Sequence, residues 1–266
     1  MFDRIAGCLY GLAAGDRNGG PLRMALLLGE SLVELQRLDE GDVARRYLHW
    51  WQNGAFDTGP TFAAVYQRVA KGTSVPDAVL DAHVAVDGQT AGVNSAHRCP
   101  PLALAGFIPD DQLETALRAE ARLSHLHELA GETAAAVGLM CRHLVRGISF
   151  DEALRMATTS RSNLLRRVAT ITDEDALRTG GFAPEAFVAG VYFARTAQTF
   201  REALHRSVEF AGPANYCPVI TGALAGARWG RQAISEDDLR HCPVLNEVGQ
   251  LAICLQRTWL APEEKP

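Results

Sequence analysis

Apolar positions along this chain recur mostly at three- and four-residue spacing, and the elements they predict are helices. Residues 2–15 place Ile5, Cys8, Leu9 and Leu12 on one face, with Gly7, Gly11 and Ala14 forming a face of small residues. The turn Gly15-Asp16-Arg17-Asn18-Gly19-Gly20 ends that helix, and Pro21 opens a strongly apolar one through about Gln36. The same reading predicts helices over 40–53, 60–71, 75–85, 101–107, 110–125, 127–146, 150–158, 161–170, 184–197, 200–210, 217–229, 235–240 and 244–259. Residues 86–100 form the longest unpatterned segment. Period-two runs of β-branched residues are absent, no fixed-period repeat occurs, and no Pro-, Gly- or Ser-rich linker divides the chain. The fold class expected is all-α, a compact multi-helix bundle, with one domain over residues 1–266.

The helix predicted over 217–229 stands out because Gly222, Ala223, Ala225, Gly226 and Ala227 give it almost no side-chain volume. A glycine costs about 1 kcal/mol relative to alanine in a helix interior. Two of them imply that another backbone, or a ligand, comes close. The loop in front, Ala211-Gly212-Pro213-Ala214-Asn215-Tyr216, is therefore where a site is expected.

Composition narrows the classes. A hydrophobic fraction of 47% suits a folded globular chain, and a net charge of −5 argues against a nucleic-acid partner, which needs a clustered basic surface. Six scattered cysteines form no C-x-x-C pair, which points to free thiols in a reducing compartment. No apolar run reaches the roughly 18 residues of a membrane span, and no leader pattern appears. A cytoplasmic location with no membrane partner is expected.

Four loop segments concentrate candidate chemistry. Gly15-Asp16 reads as a helix stop or a functional carboxylate. Phe56-Asp57-Thr58-Gly59-Pro60-Thr61 puts a carboxylate at a helix start, where capping is a sufficient reason for it. The polar loop from Asp87 to Pro100 could hold an anionic group through its backbone N–H groups, Ser95 and Arg98, or Arg98 could simply pair with a carboxylate. The fourth is the loop over 211–218. Ser124-His125 and His127 read as helix-end capping, since adjacent residues on a helix do not face each other.

In order along the chain, these segments resemble the ADP-ribosylglycohydrolase family of the dinitrogenase-reductase-activating type. Ala6 through Asp16 is similar to its opening helix ending in Gly-Asp, and Arg23 through Leu32 to its second helix. Gly54 through Thr61 is similar to its D-I-G-x-T segment, and Gly92 through Pro101 to its G-N-G-x-x-M-R-x-x-P loop. Leu123-Ser124-His125 resembles its L-T-H, and Gly212 through Gly230 its G-D-A-D-T loop with the helix behind it. The resemblance implies an orthogonally packed all-α fold, a cleft for an ADP-ribose-like ligand or an ADP-ribosylated protein, and hydrolysis of an ADP-ribosyl glycosidic bond. It implies Asp16 and Asp57 as catalytic carboxylates, with Gly92, Asn94, Ser95, Arg98, Gly212 and Asn215 contacting the substrate. Family members hold two Mg²⁺ ions, but this chain departs at the ligand positions. Gly19, Gly20, Pro21 and Leu22 stand where a Thr-Asp-Asp-Thr cluster is expected, and Pro213, Asn215 and Tyr216 replace the ligands of G-D-A-D-T. The segment that usually carries a glutamate after the first Gly-Asp is missing. Mg²⁺ requires oxygen ligands, usually carboxylates, so no metal cofactor is expected. Arg23 is a candidate cation for the vacated space. The alternative is a non-catalytic relative that binds ADP-ribose, a nucleotide or a protein partner.

Overall fold

The computed structural model describes residues 1–260; the last six residues of the expected 1–266 domain lie outside it. The chain folds as a single all-α domain whose described residues contain fifteen α-helices. These are α1 (Phe2–Gly15), α2 (Gly20–Leu35), α3 (Glu40–Gln52), α4 (Pro60–Val69), α5 (Val75–Val84), α6 (Asn94–Arg98), α7 (Pro100–Leu104) and α8 (Asp110–Ala121). They continue with α9 (Glu128–Val145), α10 (Phe150–Thr158), α11 (Asn163–Arg166), α12 (Ala183–Thr196), α13 (Phe200–Ala211), α14 (Tyr216–Trp229) and α15 (Leu245–Arg257). Among the described residues the only β-type pairing is an isolated bridge between Gly92 and Phe182. No helix there is long and apolar enough to cross a membrane.

The small-residue helices α1 and α14 form the central pair, running antiparallel. Gly7 meets Gly226, Gly11 meets Gly222, and Gly15 meets Pro218, so closely that a methyl group on any of these glycines would strike the facing backbone. Backbone contact, not a ligand, accounts for the glycines of α14. Helices α9, α12 and α13 pack around α14, and α15 covers α1. The aromatic cluster of α3 belongs to the packing: Tyr47 is fully buried, and Phe62 receives Tyr47 edge-on and stacks on Tyr66. All six cysteines are free, five of them buried.

The antiparallel crossing sends the C-terminus of α1 and the N-terminus of α14 to one end of the bundle. Asn215 sits at the N-cap of α14 and Pro218 in its first turn, where a missing N–H costs nothing.

Four elements differ from expectation. Residues 86–100 are not wholly irregular, since 94–98 form a helical turn whose residues are all buried despite their polarity. The helix expected over 110–125 stops at Ala121, leaving Ser124 and His125 in a turn. Residues 161–170 split into α11 and a 3₁₀ turn, and 235–240 hold only a 3₁₀ turn at Asp237–Leu239.

Candidate functional site

A cavity of about 700 Å³ opens at the bundle end where α14 begins, a volume in the range of small-ligand sites. Its wall draws on the N-terminal ends of five helices: Pro21 of α2, Pro60 and Thr61 of α4, His127 before α9, Phe182 before α12, and Asn215 and Tyr216 at α14. Among the described residues no Lys or Arg lines it; its formally charged side chains are Asp57 and Asp87. Each helix N-terminus carries roughly half a positive charge in partial form and presents unpaired N–H groups. The helix ends thus give an anion favourable dipoles in a cavity without a basic side chain, against the opposing charges of Asp57 and Asp87.

Asp57 reaches this wall from the turn before α4. Its backbone is left-handed (φ 48°), as is that of Asp87 (φ 49°), a region where Asp is tolerated better than most residues. Gly20 explains how the turn fits: a Cβ there would collide with the Asp57 carbonyl, so the chain needs a bare backbone at this point. Desolvation pushes the Asp57 carboxyl up from its usual range and the nearby Asp16 charge adds to this, while the Asn18 and Asn215 amides and the Gly20 N–H oppose it.

Asp16 lies behind the wall. One carboxylate oxygen accepts from the N–H groups of Gly19 (2.8 Å) and Asn18 (3.3 Å) and from the Asn215 amide; the other accepts from Leu22 N–H at 2.6 Å. Burial raises its pKa despite these bonds. The Asn215 oxygen in turn accepts from Arg17 N–H at 3.1 Å, and the Arg17 guanidinium donates to the carbonyls of Gly212 and Ala214, both at 2.6 Å. Asp16, Asn215 and Arg17 form a clasp that ties the α1–α2 turn to the α13–α14 loop. The fixed cation at this end is Arg17. Arg23 is not among the cavity residues and acts electrostatically on Glu30 and Cys242 instead.

The loop over 86–98 contributes differently from expectation. Gly92 and Asn94 line the cavity, but Ser95 and Arg98 do not. Ser95 is fully buried and donates to Ala130 O at 3.3 Å. Arg98, also fully buried, donates through Nε to Glu120 at 2.6 Å, through Nη1 to Asn94 Oδ1 at 2.8 Å, and through Nη2 to Ser124 Oγ at 2.8 Å. Its guanidinium carbon lies 5.1 Å from the Tyr47 ring centroid, and Tyr47 Oη also donates to Glu120. Burial pulls the Arg98 pKa down, but the Glu120 charge, its hydrogen bond and the Tyr47 and Tyr66 hydroxyls together hold the pKa up. Gly212 caps α13 with φ 61° and faces Arg17 rather than the cavity. Of the eight residues expected at the site, Asp57, Gly92, Asn94 and Asn215 meet in its wall; Asp16, Ser95, Arg98 and Gly212 stand behind it.

Three histidines line the cavity that sequence reasoning did not assign to it: His97, His125 and His127. His97 Nε2 lies 2.7 Å from Tyr216 O, and burial lowers its pKa to about 4. His125 Nδ1 lies 2.8 Å from Ser124 Oγ, and burial, then the Arg98 charge, lowers its pKa to about 3. These adjacent side chains meet because α8 has already ended. His127 does cap α9, accepting from Leu129 N–H at 3.1 Å. The L-S-H resemblance was the signal that could have placed His125 here. Both depressed values lie below the unfolded 6.5, so the unfolded chain binds up to two more protons between about pH 4 and 6.5. Stability is therefore expected to fall on acidification through that window, by roughly 2 kcal/mol per pH unit or more at its steepest. Urea midpoints at pH 7 and pH 5 check this; equal midpoints contradict the buried, neutral pair.

Among the described residues no group of three or more His, Cys, Asp or Glu side chains is arranged to hold a metal ion. The sequence profile of ADP-ribosylglycohydrolase matches residues 1–262. An ADP-ribosyl-[dinitrogen reductase] glycohydrolase from Rhodospirillum rubrum is 26% identical over 235 residues, covering 83% of this chain and 76% of the relative. A solved structure described as an ADP-ribosylglycohydrolase-related protein complex superposes with a TM-score of 0.81 at 26% identity, over 97% of this chain and 99% of that one. The profile spans nearly the whole length, and the fold match covers the helices that build the cavity: this chain belongs to the ADP-ribosylglycohydrolase family.

Proposed function

We propose that the cavity binds the ADP-ribosyl group, and that the protein hydrolyses an ADP-ribosyl glycosidic bond without a dinuclear Mg²⁺ centre. The observation that carries this reading is the ring of helix N-termini around a cavity whose reachable carboxylates include Asp57. The N–H groups and helix dipoles suit the diphosphate; Asp57 suits the glycosidic end, where an oxocarbenium-like transition state needs a base for water and a negative charge nearby. A carboxyl held above its ordinary value is a better base once ionised.

The donor set does not fit the family's metal pair. Asp16 is ringed by four N–H donors, Asn215 turns its NH₂ toward Asp16 and its oxygen toward Arg17, and Pro213 has no ligand atom to give. Two divalent ions need several free carboxylate oxygens to offset their mutual repulsion. The Asp16–Asn215–Arg17 clasp joins the two loops by hydrogen bonds alone, and Asp16 is a positioning residue in this reading. Calorimetric titration with ADP-ribose tests the binding half: saturable binding is expected in EDTA, and no binding with or without Mg²⁺ overturns the cavity assignment.

A further inference from the structure

Arg98 carries more hydrogen bonds than a buried ion pair needs, and two of them end on residues next to the cavity. Nη1 donates to Asn94 Oδ1, whose amide NH₂ donates onward to Thr58 O at 3.1 Å. Nη2 donates to Ser124 Oγ. A guanidinium has no acceptor, so the Ser124 oxygen must accept from Arg98, leaving its hydroxyl hydrogen to find an acceptor of its own. Ser124 is 1% exposed, and the other side-chain partner it meets is His125 Nδ1 at 2.8 Å. The hydroxyl therefore donates to Nδ1. In a neutral imidazole the proton then sits on Nε2.

Nε2 is the nitrogen that faces the cavity. It lies beside Gly92, where even a methyl group would come within 3.0 Å of it. His125 is 2% exposed, and no protein group partners its Nε2 in the described structure. Burial removes the competing doubly protonated form at neutral pH. We propose that Arg98 and Ser124 are positioning residues that fix His125 as the neutral Nε2–H tautomer, aiming one hydrogen-bond donor into the cavity at Gly92. The chain Glu120–Arg98–Ser124–His125 thus ends in a donor, which makes His125 a group that binds a ligand oxygen rather than a base that takes a proton. The tautomer stands whatever the ligand is; its role as a donor to the ADP-ribosyl group rests on the proposed function above.

The test reads the two parts separately. Long-range ¹H–¹⁵N correlation spectra of ¹⁵N-histidine-labelled full-length protein at pH 7 report the tautomer, with His125→Asn assigning the signal. Wild type is expected to show His125 as Nε2–H, Ser124→Ala to lose that pattern toward Nδ1–H or a mixture, and Ser124→Thr to restore it. An Nδ1–H signal in wild type, or an unchanged one in Ser124→Ala, overturns the positioning role. In parallel, Ser124→Ala is expected to weaken ADP-ribose about five- to tenfold, the size of one neutral hydrogen bond, while keeping its urea midpoint within that of Ser124→Thr. Unchanged affinity with an altered tautomer overturns the donor role. If wild type binds no ADP-ribose, the cavity reading fails and the spectra still decide the tautomer.

Discussion

Asp57→Asn is expected to lower ADP-ribose release by about 10²–10⁴-fold while leaving ADP-ribose affinity unchanged or slightly improved. Asn is nearly isosteric with Asp and also tolerates the left-handed backbone that position 57 adopts, so the turn before α4 keeps its shape. What the substitution removes is the charge. That charge would activate water in the transition state, yet it repels a bound diphosphate in the ground state, so the two readouts move apart. The pH profile carries the same signature. The folded Asp57 carboxyl titrates above its ordinary value, and as a base it works only when ionised, so activity should rise with pH through that raised value. Steady-state release of ADP-ribose from an ADP-ribosylated arginine substrate, alongside calorimetry, measures both. A parallel loss of affinity and turnover would make Asp57 a structural cap instead.

Arg98→Met is expected to destabilise the fold by about 3–5 kcal/mol, because it strands a buried carboxylate. Glu120 is fully buried, and without Arg98 its remaining side-chain partner is the Tyr47 hydroxyl. Replacing both charges, as in Arg98→Met with Glu120→Leu, should recover much of that loss, since two apolar groups leave no charge unpaired. Urea unfolding of the single and double variants measures the coupling. A loss under 1 kcal/mol for Arg98→Met would mean that the Arg98–Glu120 pair is not closed off from solvent. This expectation also changes how Arg98→Ala reads in a binding assay: lost binding would report a collapsed support, not a missing phosphate contact.

Much of the architecture was legible because helices announce themselves through a local period. Gly222 and Gly226 go further, implying the close approach of another backbone or a ligand; the structure shows the backbone, with Gly11 and Gly7 facing them. The site was less legible, for a physical reason. A residue's place in a wall depends on what the other loops do. Asp16 and Asp57 look alike in sequence, each beside a helix end, yet one is enclosed by N–H groups and the other reaches the cavity. Arg98 reads as a ligand contact because it sits in a polar loop; that loop is polar because it is buried among other polar groups that satisfy it. The spacing predicts a helix running through Ser124 and His125, which hides their contact, and α8 stops three residues short of Ser124. The role of Arg17 is not legible in the sequence, although it follows Gly15-Asp16 directly, because its partners are carbonyls nearly two hundred residues away.

The proposed site does its work without a dinuclear metal centre. The most direct measurement is the release of free ADP-ribose from an ADP-ribosylated arginine substrate by the full-length protein, in excess EDTA and again in excess Mg²⁺. Turnover in EDTA is expected at a rate within about twofold of that in Mg²⁺ if, as proposed, clasp and cavity work without an ion. Turnover that appears only with Mg²⁺ and vanishes with EDTA would contradict it.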